Sequence, residues 1–188
     1  MAVLRTFVAV ALPTSAQVAL RSVAAQVASH WPAGVGRWVR PESIHLTLRF
    51  LGDTDEARVP ALGRGLNEVV AAAEPFAVSL GGVGCFPGPH RPRVIWVGLN
   101  DPAGRLRSLQ ARVEAWARGA GWEAEERPFQ PHLTLARLPE EAPPPSSEWR
   151  VPVPSGDVPI DALVLFASRL RPGGAQYHRL HTAPLRLP

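Results

Sequence analysis

The tetrapeptide His-Leu-Thr-Leu occurs at His45–Leu48 and again at His132–Leu135. The two copies lie 87 residues apart in a chain of 188, so each half of the chain contains one. A proline-containing segment precedes each copy, Arg-Pro-Glu-Ser-Ile before the first and Arg-Pro-Phe-Gln-Pro before the second. Internal repeats of this kind are typical of folds built from similar units. The sequence therefore predicts a single domain over residues 1–188 with two pseudo-symmetric lobes, each carrying one His-x-Thr motif.

The alternation of side chains within each motif predicts a β-strand. In a strand, residues two apart point to the same face, so His45 shares a face with Thr47 while the two leucines point to the core. The same rule places His132 beside Thr134. Two such strands facing one cleft would bring together two imidazoles and two hydroxyl groups.

The remainder of the chain predicts an α+β fold. Amphipathic spacing predicts helices over residues 13–30, 53–74 and 103–119. Strand-like segments occupy residues 3–12, 76–80, 94–99, 160–168 and 176–182, and Arg171–Gly174 forms a turn between the last two. We expect a bilobal, pseudo-two-fold arrangement of two mainly antiparallel sheets lining a central cleft, with helices on the outer faces.

Composition and charge suit a negatively charged binding partner. All 20 basic residues are arginine, the formal net charge is +4 and the isoelectric point is near 10.8. Arginine binds phosphate in a bidentate manner, so a polyanionic partner fits. An ordinary solvated surface explains the same charge equally well, and charge alone does not decide between the two. Cys85 is the only cysteine, which excludes a disulfide framework and a thiolate metal cluster.

Hydropathy favours a cytoplasmic protein. No run approaches the roughly 18 apolar residues of a membrane span. Pro13 interrupts the apolar N-terminal run, which fits a buried strand over Val3–Leu12 better than a signal peptide. We expect a monomer with no obligate protein partner.

Several familiar chemistries are disfavoured by the motifs. Prolines follow Gly81–Gly84 closely, so this glycine-rich segment cannot open a helix and is predicted to be part of a flexible loop over Gly81–Pro92 rather than a dinucleotide site. None of the six histidines has the spacing of a zinc-protease motif, and we expect neither a metal nor another cofactor. No Gly-x-Ser-x-Gly nucleophile motif occurs. Two imidazoles instead suit general acid–base catalysis near neutral pH, and arginine with hydroxyl groups suits a phosphate.

These two motifs resemble those of the two-histidine (2H) phosphoesterase superfamily. The segments PESIHLTLRFLG and FQPHLTLAR, together with LVLFASRLRPGGAQYHRL near the end, are similar to the RNA 2′,3′-cyclic phosphodiesterases of bacteria and archaea, also called 2′-5′ RNA ligases of the LigT type. The resemblance implies an RNA-processing hydrolase that opens a terminal 2′,3′-cyclic phosphate on RNA ends to a 2′-phosphate without a metal, and that also joins RNA ends reversibly through a 2′-5′ linkage. It further implies that His45 is the general acid, that His132 is the general base, and that Thr47 and Thr134 hold the phosphate.

Three further residues are candidates for substrate binding. The resemblance implies that Arg137 assists at the phosphate and that Phe50 stacks on the terminal base. Strict alternation would put both side chains on the leucine face, so these roles require a twist or bulge near the end of each strand. Core packing of Phe50 is the alternative. Alternation places Arg49 on the histidine face, where it would be a further phosphate ligand.

Two alternatives to this function remain open at this point. The same site would serve a phosphodiesterase acting on small cyclic nucleotides or on an ADP-ribose cyclic phosphate. A module that binds RNA ends and hydrolyses them only incidentally would also explain the arginine-rich composition.

Overall fold

Nine strands and three α-helices make up the described part of the chain, which comprises residues 2–145, 148–171 and 174–186 of this computed structural model. The strands are β1 (Val3–Ala11), β2 (Arg37–Trp38), β3 (His45–Asp55), β4 (Phe76–Phe86), β5 (Val94–Asn100), β6 (His132–Arg137), β7 (Asp157–Ile160), β8 (Ala162–Arg171) and β9 (Gly174–Pro184). The helices are α1 (Thr14–Ala28), α2 (Val59–Val70) and α3 (Arg105–Gly119). Short 3-10 turns occupy Pro41–Ser43 and Glu56–Arg58. No helix in the described ranges is long and apolar enough to cross a membrane.

The strands form one antiparallel sheet in the order β7-β4-β5-β6-β3-β1-β8-β9, and β2 pairs with β6 outside this path. The predicted α+β class is confirmed. The prediction of two separate sheets is wrong, because the strands of the two motifs, β3 and β6, pair with each other. That pairing consists of Leu46 opposite Leu133 alone. It joins two four-stranded halves into one continuous sheet.

The leucines of both motifs lie in the main core. Leu46, Leu133 and Leu135 are fully buried, and Leu48 is nearly so. Buried residues of α1, α2 and α3 belong to the same cluster, so all three helices pack against the leucine face of the sheet. Burying a leucine side chain contributes about 1.5–3 kcal/mol, which anchors both motif strands and commits the histidines to the opposite face.

Three element boundaries differ clearly from the prediction. Strand β4 continues through Gly81–Phe86, so the loop predicted over Gly81–Pro92 begins only after Phe86. The glycines extend the strand because they allow close approach: Gly84 pairs with Trp96, and a Cβ at Gly84 would overlap the indole ring. Strand β3 continues to Asp55 and α2 begins at Val59, later than predicted. Pro172 and Gly173 of the predicted closing turn lie outside the described residues.

A β-bulge interrupts the first motif strand. Ala9 of β1 pairs with Thr47, and its neighbour Val8 pairs with Arg49, so Leu48 is the extra residue. A bulge inserts one residue and reverses the alternation beyond it. Phe50 therefore returns to the face of His45, where it is 57% exposed.

The second motif strand has a bulge at the corresponding position. Trp96 of β5 pairs with Thr134, and Ile95 pairs with Ala136, so Leu135 is the extra residue. Leu135 follows its histidine by three residues, as Leu48 does in the first motif. The reversal turns Arg137 to the histidine face and leaves it exposed.

The same reversal corrects the prediction for Arg49. Arg49 lies on the helix side of the sheet and is only 7% exposed, so its predicted place on the histidine face is wrong. Its Nε lies 2.7 Å from Oε2 of Glu114 on α3, in an ion pair rather than a linear hydrogen bond, and its Nη1 donates to Glu125 Oε2 at 2.9 Å. The guanidinium also donates to the carbonyls of Phe50 and Glu123. This ion-pair cluster fastens the strand beyond the bulge to α3 and to the segment that follows it.

Substitution of Arg49 tests the structural importance of that cluster. We expect Arg49→Ala to lower the free energy of unfolding by about 2–4 kcal/mol, because it leaves Glu114 unpaired in a largely buried site. The matched control is Arg91→Ala, whose ion pair with Glu140 is exposed on both sides and contributes less than about 1 kcal/mol. Urea unfolding of the two variants measures both values. Equal losses would contradict the assigned role of Arg49.

Candidate active site

The β3–β6 pairing brings both histidines to one region of the sheet. His45 and His132 each precede by one residue the leucine that makes the pairing. In an antiparallel pair this places His45 across from Thr134 and Thr47 across from His132, with all four on the same face. The two imidazoles are close enough that His132 lowers the pKa of His45 by charge repulsion. The sheet thus assembles the four motif side chains that the repeat predicted.

Each imidazole is oriented by a backbone carbonyl two residues earlier in the chain. Nδ1 of His45 lies 2.9 Å from the Ser43 oxygen, and Nδ1 of His132 lies 2.7 Å from the Gln130 oxygen. A carbonyl can only accept a hydrogen bond, so Nδ1 carries a proton and donates it in both residues. This arrangement leaves Nε2 of each ring to exchange a proton with a substrate.

Burial favours the neutral form of both imidazoles. Desolvation is the main cause that lowers the pKa of His45 below its ordinary value, with charge repulsion from His132 acting in the same direction. Desolvation likewise lowers the pKa of His132, assisted by the positive charge of Arg137. The carbonyls of Ser43 and Gln130 oppose these shifts by accepting from Nδ1. A bound anion would reverse part of the electrostatic effect and favour protonation.

Aromatic side chains from other strands surround His45. The Phe7 ring stacks on the imidazole at 4.8 Å between centroids, and Tyr177 meets it edge to face at the same distance. Phe166 lies 6.1 Å away and stacks on Phe7 at 5.3 Å. These contacts restrict the rotation of the imidazole and remove water from one side of it.

His132 has an aromatic environment of its own. Phe86 of β4 meets its ring edge to face at 5.1 Å, and Trp96 of β5 lies 6.2 Å away. Phe86 and Trp96 are 5.1 Å apart. Sequence reasoning identified none of the aromatic residues around the two histidines. Their strands were recognisable, but which strands are neighbours and in what register follows only from the sheet.

Phe50 and Arg137 extend the site along the histidine face. Phe50 lies 5.8 Å from Phe7, and its exposure excludes the alternative of core packing. Arg137 acts electrostatically on His132 and also on Tyr177, whose phenol has its pKa raised by burial. Both residues occupy the face that their implied roles require, whereas Arg49 does not.

A cavity of about 810 Å³ opens beside His45 and Arg137. Arg37, Arg40 and Arg179 also line it, and Glu42 is its one acidic lining residue. No ion pair is found for Arg37, Arg40 or Arg137 within the described part of the chain. Unpaired guanidinium groups around one cavity favour an anionic ligand.

The site has the components for displacement at a phosphate. One imidazole can accept a proton while the other donates one, and hydroxyl groups and arginine can hold the non-bridging oxygens. Among the residues that the structure describes, no group of three histidine, cysteine, aspartate or glutamate side chains could hold a metal ion.

Comparison with known proteins finds similar sequences across most of this chain. The model of the 2′-5′ RNA ligase superfamily matches residues 10–171. The RNA 2′,3′-cyclic phosphodiesterase of Thermus thermophilus is 36% identical over 97% of this chain and 91% of its own length. The protein of the same name from Escherichia coli is 31% identical over 80% of each chain. Against relatives of that name from Aeropyrum pernix and Aquifex aeolicus, the match spans only 56% of the relative's length.

Solved structures extend the similarity across the fold. The crystal structure of TT0787 of Thermus thermophilus superposes with a TM-score of 0.81 and 30% identity, covering 97% of this chain and 98% of that one. The structure of Escherichia coli LigT complexed with 3′-AMP gives a TM-score of 0.75 and 28% identity, covering 99% and 100%. The similarity therefore includes both halves of the sheet.

Titration of the two histidines tests their electrostatic coupling. We expect both pKa values to lie below the ordinary value of 6.5, and His132→Ala to raise the pKa of His45 toward that value because one repulsive charge is lost. Histidine NMR titration measures both, with the exposed His90→Ala variant as control. A pKa of His45 that is the same with and without His132 would contradict the coupling.

The same shifts predict how folding stability depends on pH. A folded-state pKa below 6.5 means that the folded protein binds fewer protons than the unfolded chain. The stability contributed by the two neutral imidazoles is therefore present above pH 6.5 and is lost as the pH falls through their folded pKa values. Variants that lack either histidine should lose less stability over that acid range.

Proposed function

This chain belongs to the 2′-5′ RNA ligase superfamily, and on that premise we propose that it hydrolyses the 2′,3′-cyclic phosphate at RNA ends to a 2′-phosphate. The observation that carries the proposal is the pair of imidazoles, each held at Nδ1 by a backbone carbonyl and each with Nε2 available. Acid–base catalysis between them requires no metal.

The reaction is an in-line displacement at phosphorus. Nε2 of His132 accepts a proton from water as the water oxygen attacks, and the bond between phosphorus and O3′ breaks. His45, protonated at Nε2, donates that proton to the departing O3′. The product carries a 2′-phosphate and a free 3′-hydroxyl, and His132 retains the proton that the next cycle returns to His45 through solvent. The division of roles between the two histidines follows the family resemblance, since their local hydrogen bonds are equivalent.

The remaining site residues bind the substrate around this step. The hydroxyl groups of Thr47 and Thr134 donate to the non-bridging oxygens, and Arg137 balances their negative charge. The exposed ring of Phe50 offers a surface for the terminal base, where base–aromatic stacking contributes about 1–3 kcal/mol. Binding the phosphate also supplies the negative charge that favours the imidazolium form of His45.

The arginine-lined cavity favours RNA over a small cyclic nucleotide. This cavity of about 810 Å³ adjoins His45, and four arginines are among its lining residues, which favours a ligand with several phosphates. Arg37 and Arg40, without an acidic partner in the described ranges, can contact the phosphates of further nucleotides. Both histidines belong to the same chain, so the proposed acid–base pair needs no residue from a partner. We further propose that the protein acts as a monomer in the cytoplasm.

Product analysis tests the proposed reaction. An RNA oligonucleotide ending in a 2′,3′-cyclic phosphate should yield a 2′-monophosphate, and EDTA should leave the rate unchanged. His45→Ala or His132→Ala should each reduce the rate about 10²–10⁴-fold, because each removes a proton-transfer group. The control variant His90→Ala alters an exposed histidine outside the site. A 3′-phosphate product, or full activity in either site variant, would refute the mechanism.

Substrate length tests the choice of RNA. We expect a trinucleotide with a terminal cyclic phosphate to give a higher kcat/KM than the corresponding cyclic mononucleotide. Replacing both Arg37 and Arg40 with Gln should remove most of this preference and reduce its dependence on salt, because each phosphate contact releases counterions. Arg21→Gln, on the exposed face of α1, is the matched control. Equal values for the two substrates would favour the small cyclic nucleotide instead.

A further inference from the structure

An aromatic surface lies beside His132 on the same face of the sheet. Trp96 is directly opposite Thr134, and Gly98 is directly opposite His132. Directly opposed residues in an antiparallel sheet point to the same side, so the indole ring occupies the row next to the reacting groups. Phe86, at 5.1 Å from both Trp96 and His132, continues this surface onto β4.

The glycines of β4 allow the indole to lie along the sheet. A Cβ at Gly84 would overlap three atoms of the six-membered ring of Trp96, whereas a Cβ at Gly82 would meet no atom of the described residues within 4 Å. The ring thus rests on the backbone at Gly84 and remains partly exposed. Its N–H has no hydrogen-bond partner in the described part of the chain. This N–H is buried, so hydrogen bonding does not explain the position of the ring, whereas contact with Phe86 and with the backbone at Gly84 does.

The position that Trp96 occupies has no aromatic counterpart in the other half of the sheet, where the rings beside His45 come from other positions. Thr47 corresponds to Thr134 in the first motif, and the residue opposite Thr47 is Ala9. The motif strand therefore does not need a large aromatic neighbour in order to form. Trp96 therefore makes the neighbours of the two motif threonines unequal, with a large ring opposite Thr134 and a small side chain opposite Thr47.

We infer that the surface formed by Trp96 and Phe86 binds a nucleobase of the RNA strand that supplies an attacking 5′-hydroxyl. This inference rests on the proposed function, in which His132 accepts the proton of the nucleophile. When a 5′-hydroxyl replaces water, His132 takes its proton and O5′ forms a bond to phosphorus. The bond between phosphorus and O3′ breaks, and His45 protonates O3′. The product is a 2′-5′ phosphodiester with a free 3′-hydroxyl, and no other reactant is required.

The position of Trp96 and Phe86 beside His132 explains why a base stacked on them would promote joining. Water needs no binding surface, but a 5′-hydroxyl must be brought to Nε2 of His132 by the nucleotide that carries it. Base–aromatic stacking is strong enough to provide this positioning and tolerates different bases. The surface thereby determines how the cyclic phosphate is divided between water and a second RNA strand.

The ratio of joined to hydrolysed product measures how well the surface positions the 5′-hydroxyl strand. The enzyme receives an RNA with a terminal 2′,3′-cyclic phosphate together with a fixed concentration of a short 5′-hydroxyl RNA, and both products are quantified. Both nucleophiles attack the same bound phosphate, so their product ratio is independent of the amount of folded enzyme and of cyclic-phosphate binding. We expect Trp96→Ala to lower the ratio of joined to hydrolysed product about 5- to 100-fold and Trp96→Phe to retain most of it.

A second substrate isolates the contact with the base. An acceptor whose 5′-terminal nucleotide is abasic should join poorly to the wild type, and Trp96→Ala should add little to that loss. Trp122→Ala, which alters a half-buried indole packed against the main core, is the matched control and should leave the ratio unchanged. An unchanged ratio in Trp96→Ala, or an equal fall in Trp122→Ala, would overturn the inference. Hydrolysis to a 2′-phosphate with no joining in the wild type would overturn it while leaving the proposed function intact, whereas failure of both reactions would refute both.

Discussion

The site depends on the pairing of Leu46 with Leu133. Within the described residues it is the only direct pairing between the two motif strands, and it lies one residue from each histidine. The leucines are fully buried beneath the helices, so the free energy that holds the sheet together also fixes the imidazoles relative to one another. A longer pairing would commit more of each strand to the ladder. The cavity beside His45 and Arg137 is lined by residues from both halves of the sheet, close to this single pair.

The site also depends on the bulges at Leu48 and Leu135. Each bulge lets one short strand place side chains on the open face both before and after it. Before the bulge, alternation sends histidine and threonine to the open face and leucine to the core. After it, the reversed alternation sends Phe50 or Arg137 to that open face. A regular strand would bury those side chains against the helices. In the first motif the same reversal buries Arg49, and the ion pair with Glu114 compensates for the charge.

The sequence was sufficient to predict the fold class, the helices and the shared face of the motif side chains, because these follow from local periodicity and from the repeated tetrapeptide. It was also sufficient to show that Phe50 and Arg137 need a bulge. It was not sufficient to locate Arg49, because alternation breaks at Leu48 and nothing in the sequence around that leucine marks it as the extra residue. Phe7 and Tyr177 were missed for a different reason: they meet His45 only through the order of strands in the sheet, a property of the whole chain.

The protein and the proposed substrate shift the pKa of the site histidines in opposite directions. Burial lowers the pKa of both imidazoles, with repulsion from His132 adding to the effect at His45 and repulsion from Arg137 adding to it at His132. In the proposed mechanism a lowered pKa suits His132 as the base but opposes His45 as the acid. Binding of the phosphate acts in the other direction, because its negative charge favours an imidazolium beside it. The proposed acid thus depends on the charge of the substrate. In the proposed mechanism the bound phosphate is therefore part of the catalytic arrangement. The arginines near His45 that have no acidic partner in the described ranges are available to bind it.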